Sequence, residues 1–170
     1  THGHRNAFIA PLTQIEPLIS ERLIAVVSKL GISQAQVAKS ALLTNGPVWN
    51  VLELVDAEAV LEIKVSRSKG HELGFIGIFG RDNSKDNVDY EVRMLEASNG
   101  ITEDPITGSL NAALAKWLFS QNRIKSSLIM SQGQKIGRQG RVHIDVLDAE
   151  KGAIKIGGDV NILIEGHVLI

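Results

Sequence analysis

Between Ser109 and Phe119 the chain is apolar almost all the way round a helix. Leu110, Ala113, Leu114, Trp117 and Leu118 fall at i, i+3, i+4, i+7 and i+8, and Ala112, Ala115 and Phe119 fill a second stripe beside them. Only Asn111 and Lys116 interrupt the first turns. A one-sided helix can lie on a sheet, but one that is apolar all round has to be enclosed. The simplest enclosure is a sheet wrapped around it.

The remaining apolar pattern supplies that sheet and a few outer helices. Ala7–Ala10 reads as a short strand. Pro11–Gly31 reads as an amphipathic helix with Ile19, Leu23, Val26, Val27 and Leu30 on one face and Gly31 as its stop. Ser33 is placed to cap a second short helix that turns Val37, Ala38, Ala41 and Leu42 inward. After the Asn45-Gly46-Pro47 turn, Val48–Val55 has strand composition, and Asp56–Val65 predicts a short helix. Leu73–Phe79 is a strand with two internal glycines, where a bend or a close approach is expected. Arg81–Asn87 is a polar loop. Asp89–Glu96 alternates, with Tyr90, Val92 and Met94 on one side and Glu91, Arg93 and Leu95 on the other. Beyond the central helix, Leu128–Met130, Arg141–Leu147, Ala153–Ile156, Val160–Glu165 and His167–Ile170 are short strands between glycines, with a hairpin loop at Asp148–Gly152. Short consecutive hairpins favour antiparallel pairing.

Chemistry concentrates at the start of the central helix. The first N–H groups of a helix lack partners within it, and their dipoles favour an anion. Gly108 allows a ligand close to the backbone, Ser109 adds a hydroxyl, and Asp104 stands one turn upstream. A small molecule bearing a carboxylate fits this arrangement. Equally, Asp104 and Thr107 can be read as caps of a buried helix that binds nothing. Arg93 is placed either to pair with Glu103 or Asp104 or to join a surface ion pair.

Composition narrows the choices. The chain has 170 residues, 44% of them apolar but only 4% aromatic, so one domain with an aliphatic core is expected. Eighteen basic and nineteen acidic residues are mixed along it, with no basic stripe, which argues against nucleic acid. No apolar run approaches the roughly 18 residues of a membrane span. The absence of cysteine excludes disulfides, a thiolate nucleophile and Cys-ligated metal. His2 and His4 form an H-x-H pair without a third ligand nearby, and His71 reads as a loop residue, so no metal site is expected. Trp49 reads as core or interdomain surface, with ligand stacking as the other reading. A cytoplasmic location is the default expectation.

The segment Glu103-Asp104-Pro105-Ile106-Thr107-Gly108-Ser109-Leu110-Asn111 resembles the EDPxTGS signature of the PhzF-like phenazine-biosynthesis isomerase family. Three further segments resemble that family in the same order: Val92-Arg93-Met94-Leu95, then Ser131-Gln132-Gly133 with Gly137-Arg138-Gln139-Gly140, then Ile156-Gly157-Gly158-Asp159-Val160 with Glu165-Gly166. The resemblance runs from about Ala7 to Ile170. It implies the diaminopimelate-epimerase-like fold: α+β, a predominantly antiparallel sheet curved into a barrel around a central helix. It also implies that residues 1–170 are a single domain resembling the C-terminal half of a two-domain protein. The N-terminal half, which brings a catalytic Glu and a Gly-His-Ala-Thr segment, has no counterpart in the sequence.

The expected function is therefore that of a cofactor-independent isomerase shifting a proton on a small carboxylate-bearing substrate. The resemblance assigns Asp104 and Ser109 as catalytic and Thr107, Gly108 and Ser109 as substrate-binding. The expected partners are the missing N-terminal domain and a second copy in a homodimer. A non-catalytic metabolite-binding or scaffold domain is the alternative, because the family's Glu segment is not in this chain.

Overall fold

The computed structural model describes residues 4–64, 73–84, 87–97 and 102–167. Among these residues ten strands form one sheet. In chain order they are β1 (His4–Ile9), β2 (Gln14–Glu16), β3 (Val37–Thr44), β4 (Val48–Leu54), β5 (Phe75–Arg81), β6 (Tyr90–Glu96), β7 (Thr102–Asp104), β8 (Ser127–Gln132), β9 (Gly140–Asp148) and β10 (Ala153–Val160). The helices are α1 (Ser20–Leu30), α2 (Ala57–Glu62) and α3 (Gly108–Ser120). His2, His71 and most of the expected His167–Ile170 strand lie outside the described residues.

The sheet order is β1-β10-β9-β8-β6-β5-β4-β3-β2, with β7 added against β6. Seven strand pairs are antiparallel, while β4–β5 and β6–β8 are parallel, so the sheet is mixed. The expected closed barrel is not formed. The pairing path ends at β1 and β2, and no ladder joins these two edges among the described residues. The sheet encloses α3 while its edges stay unpaired.

Two cores lie on the two faces of this sheet. The inner one surrounds α3, where Leu110, Ala113, Leu114 and Leu118 meet Trp49, Val51, Phe79, Val92, Met130 and Ile144. The outer one packs Val26, Val27 and Leu30 of α1 and Val60 of α2 on Leu52, Leu54, Ile76, Ile78 and Leu95. Strands β4, β5 and β6 are therefore buried on both faces, which explains why β4 and β5 read as nearly continuous apolar runs. Gly77 fits α3 against the sheet: a Cβ there would lie 2.6 Å from Leu110 Cδ1. Trp49 is core, donating its indole N–H to Asn45 Oδ1 at 3.0 Å.

Three expected elements change. The predicted helix over Pro11–Gly31 begins only at Ser20, because Gln14–Glu16 pairs with Leu42–Thr44 as an edge strand instead. Gly31 does stop α1, at φ 67, with its N–H bonded to the Ser28 and Val27 carbonyls. The second short helix after Ser33 is a single 3-10 turn, Gln34–Gln36, followed by β3. Ala41 and Leu43 of β3 face α3, while Val37 and Leu42 pack toward the outer helices. A strand with apolar residues on both faces imitates helical spacing over six residues. Finally, β10 runs through Gly157-Gly158 to Val160, and residues 161–167 carry no strand. No helix among the described residues is long and apolar enough to cross a membrane.

Candidate functional site

Strand β6 is shared by two neighbours on the same edge. Tyr90, Glu91 and Val92 pair with β8, whereas Met94, Leu95 and Glu96 pair with β7. Arg93 stands at the fork. The turn Pro105–Thr107 leaves the fork and leads into α3.

The acidic pair that opens this segment is divided by the strand's two-residue repeat. Glu103 lies opposite Leu95 and Asp104 opposite Met94. Leu95 belongs to the outer core and Met94 packs on the inner one, so the two carboxylates point to opposite faces. On the outer face Arg93, only 2% exposed, donates through Nε and Nη2 to the two oxygens of Glu103 at 3.0 and 2.8 Å. Its Nη1 donates to the Val60 and Ile63 carbonyls at the end of α2. Arg93 thus pairs with Glu103, in a buried forked geometry, and not with Asp104 or at the surface.

On the inner face the half-buried Asp104 accepts a 2.5 Å hydrogen bond from the Thr107 hydroxyl. Thr107 occupies the N-cap position of α3 but makes no side-chain cap bond. Its hydroxyl is turned away from the helix, so the ordinary cap expected of this position is missing. No acidic side chain occupies the first turn either. The helix start keeps its positive character beside a carboxylate that faces the same region.

Gln132, at the end of β8, reaches across the fork. Its Oε1 accepts from the Thr107 N–H at 3.1 Å and from Asn111 Nδ2 at 2.8 Å. Its Nε2 donates to the Asp104 carbonyl and to Thr107 Oγ1, both at 3.0 Å. Behind it, Gly133 (φ 92) and Gly140 admit the Pro105 carbonyl, which a Cβ at these positions would approach to 2.6 and 3.3 Å. That contact joins the segment Gln132–Gly140 to the segment Glu103–Ser109. Arg138 takes part through its Cβ, which also borders Gly133.

Gly108 and Ser109 are half-buried at the mouth of the enclosure. The Ser109 carbonyl accepts from Asn45 Nδ2 at 2.8 Å. A groove of about 360 Å³ opens beside Gly108, walled by Phe8, Ile106, Val142, Ile156, Gly157 and Gly158. The structure thus brings Asp104, Thr107, Gly108 and Ser109 together. It adds Gln132, Asn111, Phe8 and Gly157-Gly158, to which sequence reasoning gave no role. The signal in the sequence for Gln132 is its place in the family-like segment Ser131-Gln132-Gly133. The described residues contain no group of three His, Asp or Glu side chains arranged to hold a metal.

Comparison with known proteins gives this geometry a context. The chain matches the phenazine biosynthesis-like protein family, PhzC–PhzF, over residues 7–166. It is 28% identical to Antisense-enhancing sequence 1 of Schizosaccharomyces pombe over 177 residues, covering 96% of this chain and 59% of that protein. A PhzF-family phenazine biosynthesis protein of Bacillus anthracis superposes with a TM-score of 0.71 at 18% identity, covering 94% of this chain and 61% of the other. A predicted epimerase of Pseudomonas aeruginosa superposes at 0.72 and 18% identity, covering 98% and 59%. The chain thus spans about 60% of the length of these relatives. At these identities the solved structures establish the fold, and the match over residues 7–166 establishes the family. The chain belongs to the phenazine biosynthesis-like (PhzF) family.

Proposed function

We propose that the chain supplies the anion-holding half of a cofactor-independent isomerase, which shifts a proton on a small substrate bearing a carboxylate. The observation that carries this reading is the start of α3. Its N-cap residue makes no side-chain cap, and the Thr107 hydroxyl is spent on Asp104. Gly108 and Ser109 hold a substrate oxygen, with their N–H groups and the Ser109 hydroxyl as donors, and Thr107, whose own N–H is taken by Gln132, borders the site. Asp104 accepts from a polar hydrogen near the reacting carbon and orients it. The open groove beside Gly108 is one wall of a cleft.

The other wall and the proton carrier come from a second domain, in keeping with relatives longer than this chain. The carrier is a Glu whose pKa a closed, dry cleft moves toward operating pH. Acid–base transfer of this type contributes roughly 10²–10⁴-fold, and fixed positioning of the substrate adds to it. The assembly we propose is a homodimer, the commonest oligomer.

The test is solvent-deuterium incorporation by the protein purified from its own source, against a panel of small hydroxy- and amino-carboxylic acids. Incorporation at one carbon of one panel member is the expected result. No incorporation, with retained binding of a carboxylate at Gly108 and Ser109, identifies a non-catalytic metabolite-binding domain instead.

A further inference from the structure

Gln132 has no exposed surface, and all of its hydrogen-bonding capacity used here goes to one short segment. Its amide orientation is fixed by chemistry. The Thr107 N–H can only donate, so the atom facing it is the oxygen, and the nitrogen faces the Asp104 carbonyl. The same nitrogen donates to Thr107 Oγ1, which leaves the single hydroxyl proton of Thr107 to point at Asp104. One side chain therefore fixes the Asp104 carbonyl, the Thr107 backbone N–H and the direction of the Thr107 hydroxyl. Through Asn111 Nδ2, which also donates to the Thr107 carbonyl at 2.8 Å, it reaches the first turn of α3.

We propose that Gln132 is the positioning residue of the α3 site. It holds the Thr107 hydroxyl off the helix start and on Asp104, which leaves the Ser109 N–H, a donor that a Thr107 cap would take, available to a ligand beside that of Gly108. Without it, Thr107 is free to rotate its hydroxyl into the cap position that threonine normally takes, and the anion site closes on itself. Gln132 touches no reacting atom and acts through Thr107 and Asp104. This inference rests on the proposed anion-holding role of α3.

The test compares wild type with Gln132→Met and Gln132→Glu by amide NMR, with and without sodium acetate as the probe. Gln132→Met keeps the volume and removes every bond. Gln132→Glu keeps the acceptor atoms but loses the donation to Thr107 and Asp104 until its carboxyl is protonated. The inference predicts altered ligand-free amide shifts from Asp104 to Ser109 in Gln132→Met, and acetate binding weakened at least tenfold. It also predicts that Gln132→Glu recovers acetate affinity relative to wild type as the pH is lowered, which a purely structural role would not produce. Wild-type turn shifts and wild-type acetate affinity in Gln132→Met would overturn it, as would unchanged shifts and the absence of pH-dependent recovery in Gln132→Glu if the Met variant does not fold. If wild type itself does not bind acetate at Gly108 and Ser109, the anion-site reading fails. The ligand-free shifts then still decide whether Gln132 sets the turn.

Discussion

Glu103 and Asp104 are adjacent in sequence and serve opposite faces of the sheet. Glu103 is locked to Arg93 under α2, and Asp104 faces the start of α3. The strand repeat that separates them lets one short segment anchor itself and present a carboxylate.

The anchor is expected to matter for stability. Removing Glu103 strands a guanidinium that is 2% exposed. Breaking a buried pair from one side costs about 3–5 kcal/mol. Glu103→Ala is therefore expected to unfold at much lower urea, and Arg93→Met with Glu103→Leu is expected to restore much of the loss. A Glu103→Ala melt within about 0.5 kcal/mol of wild type, the range of ordinary surface substitutions, would show that the pair contributes nothing.

Gly133 tests the contact between the two segments. A methyl group there would sit 2.6 Å from the Pro105 carbonyl, in a left-handed backbone that favours glycine. Gly133→Ala is expected to destabilise by about 1–3 kcal/mol, the range of overpacking substitutions, and to perturb amide shifts from Asp104 to Ser109. Shifts confined to residues 131–140 would contradict the contact.

Glu91 predicts a pH dependence. It is 2% exposed on the outer face, and its Oε1 has no hydrogen-bond partner among the described residues. Burial pushes its pKa up from 4.5 to about 7, while the Ser131 hydroxyl bond and Arg141 pull it down and Asp82 pushes it further up. Because the folded state holds this proton more tightly than the unfolded chain, the stabilisation is full below pH 4.5. It is lost as pH rises through about 7. Glu91→Gln is expected to flatten the urea-midpoint profile between these values. An unchanged slope in the variant would remove Glu91 as its source.

The central helix was legible because an all-round apolar stretch has one physical solution, and α3 spans Gly108–Ser120 within a residue of the expected bounds. Alternation in Tyr90–Glu96 likewise divided the strand's faces correctly. The segment Val37–Leu42 imitates a helix because apolar residues stand on both faces of β3 and erase the two-residue signal, while Ala38, expected to face inward, is exposed. Sheet closure was not legible, since pairing between β1 and β2 depends on curvature that no local pattern encodes. Neither was Gln132: its partners lie 21 to 28 residues away, at a fork created only when β7 and β8 share β6.

Asp104 carries the central claim. Among the described residues its carboxylate bonds the Thr107 hydroxyl and caps no N–H of α3. Asp104→Asn should therefore shift stability by less than the roughly 1 kcal/mol typical of a lost cap. The most direct measurement is the rate of solvent-deuterium incorporation by wild type and Asp104→Asn, at matched folded concentration. A loss of 100-fold or more with an unchanged melt is the predicted result, and equal rates in the two proteins would contradict the account.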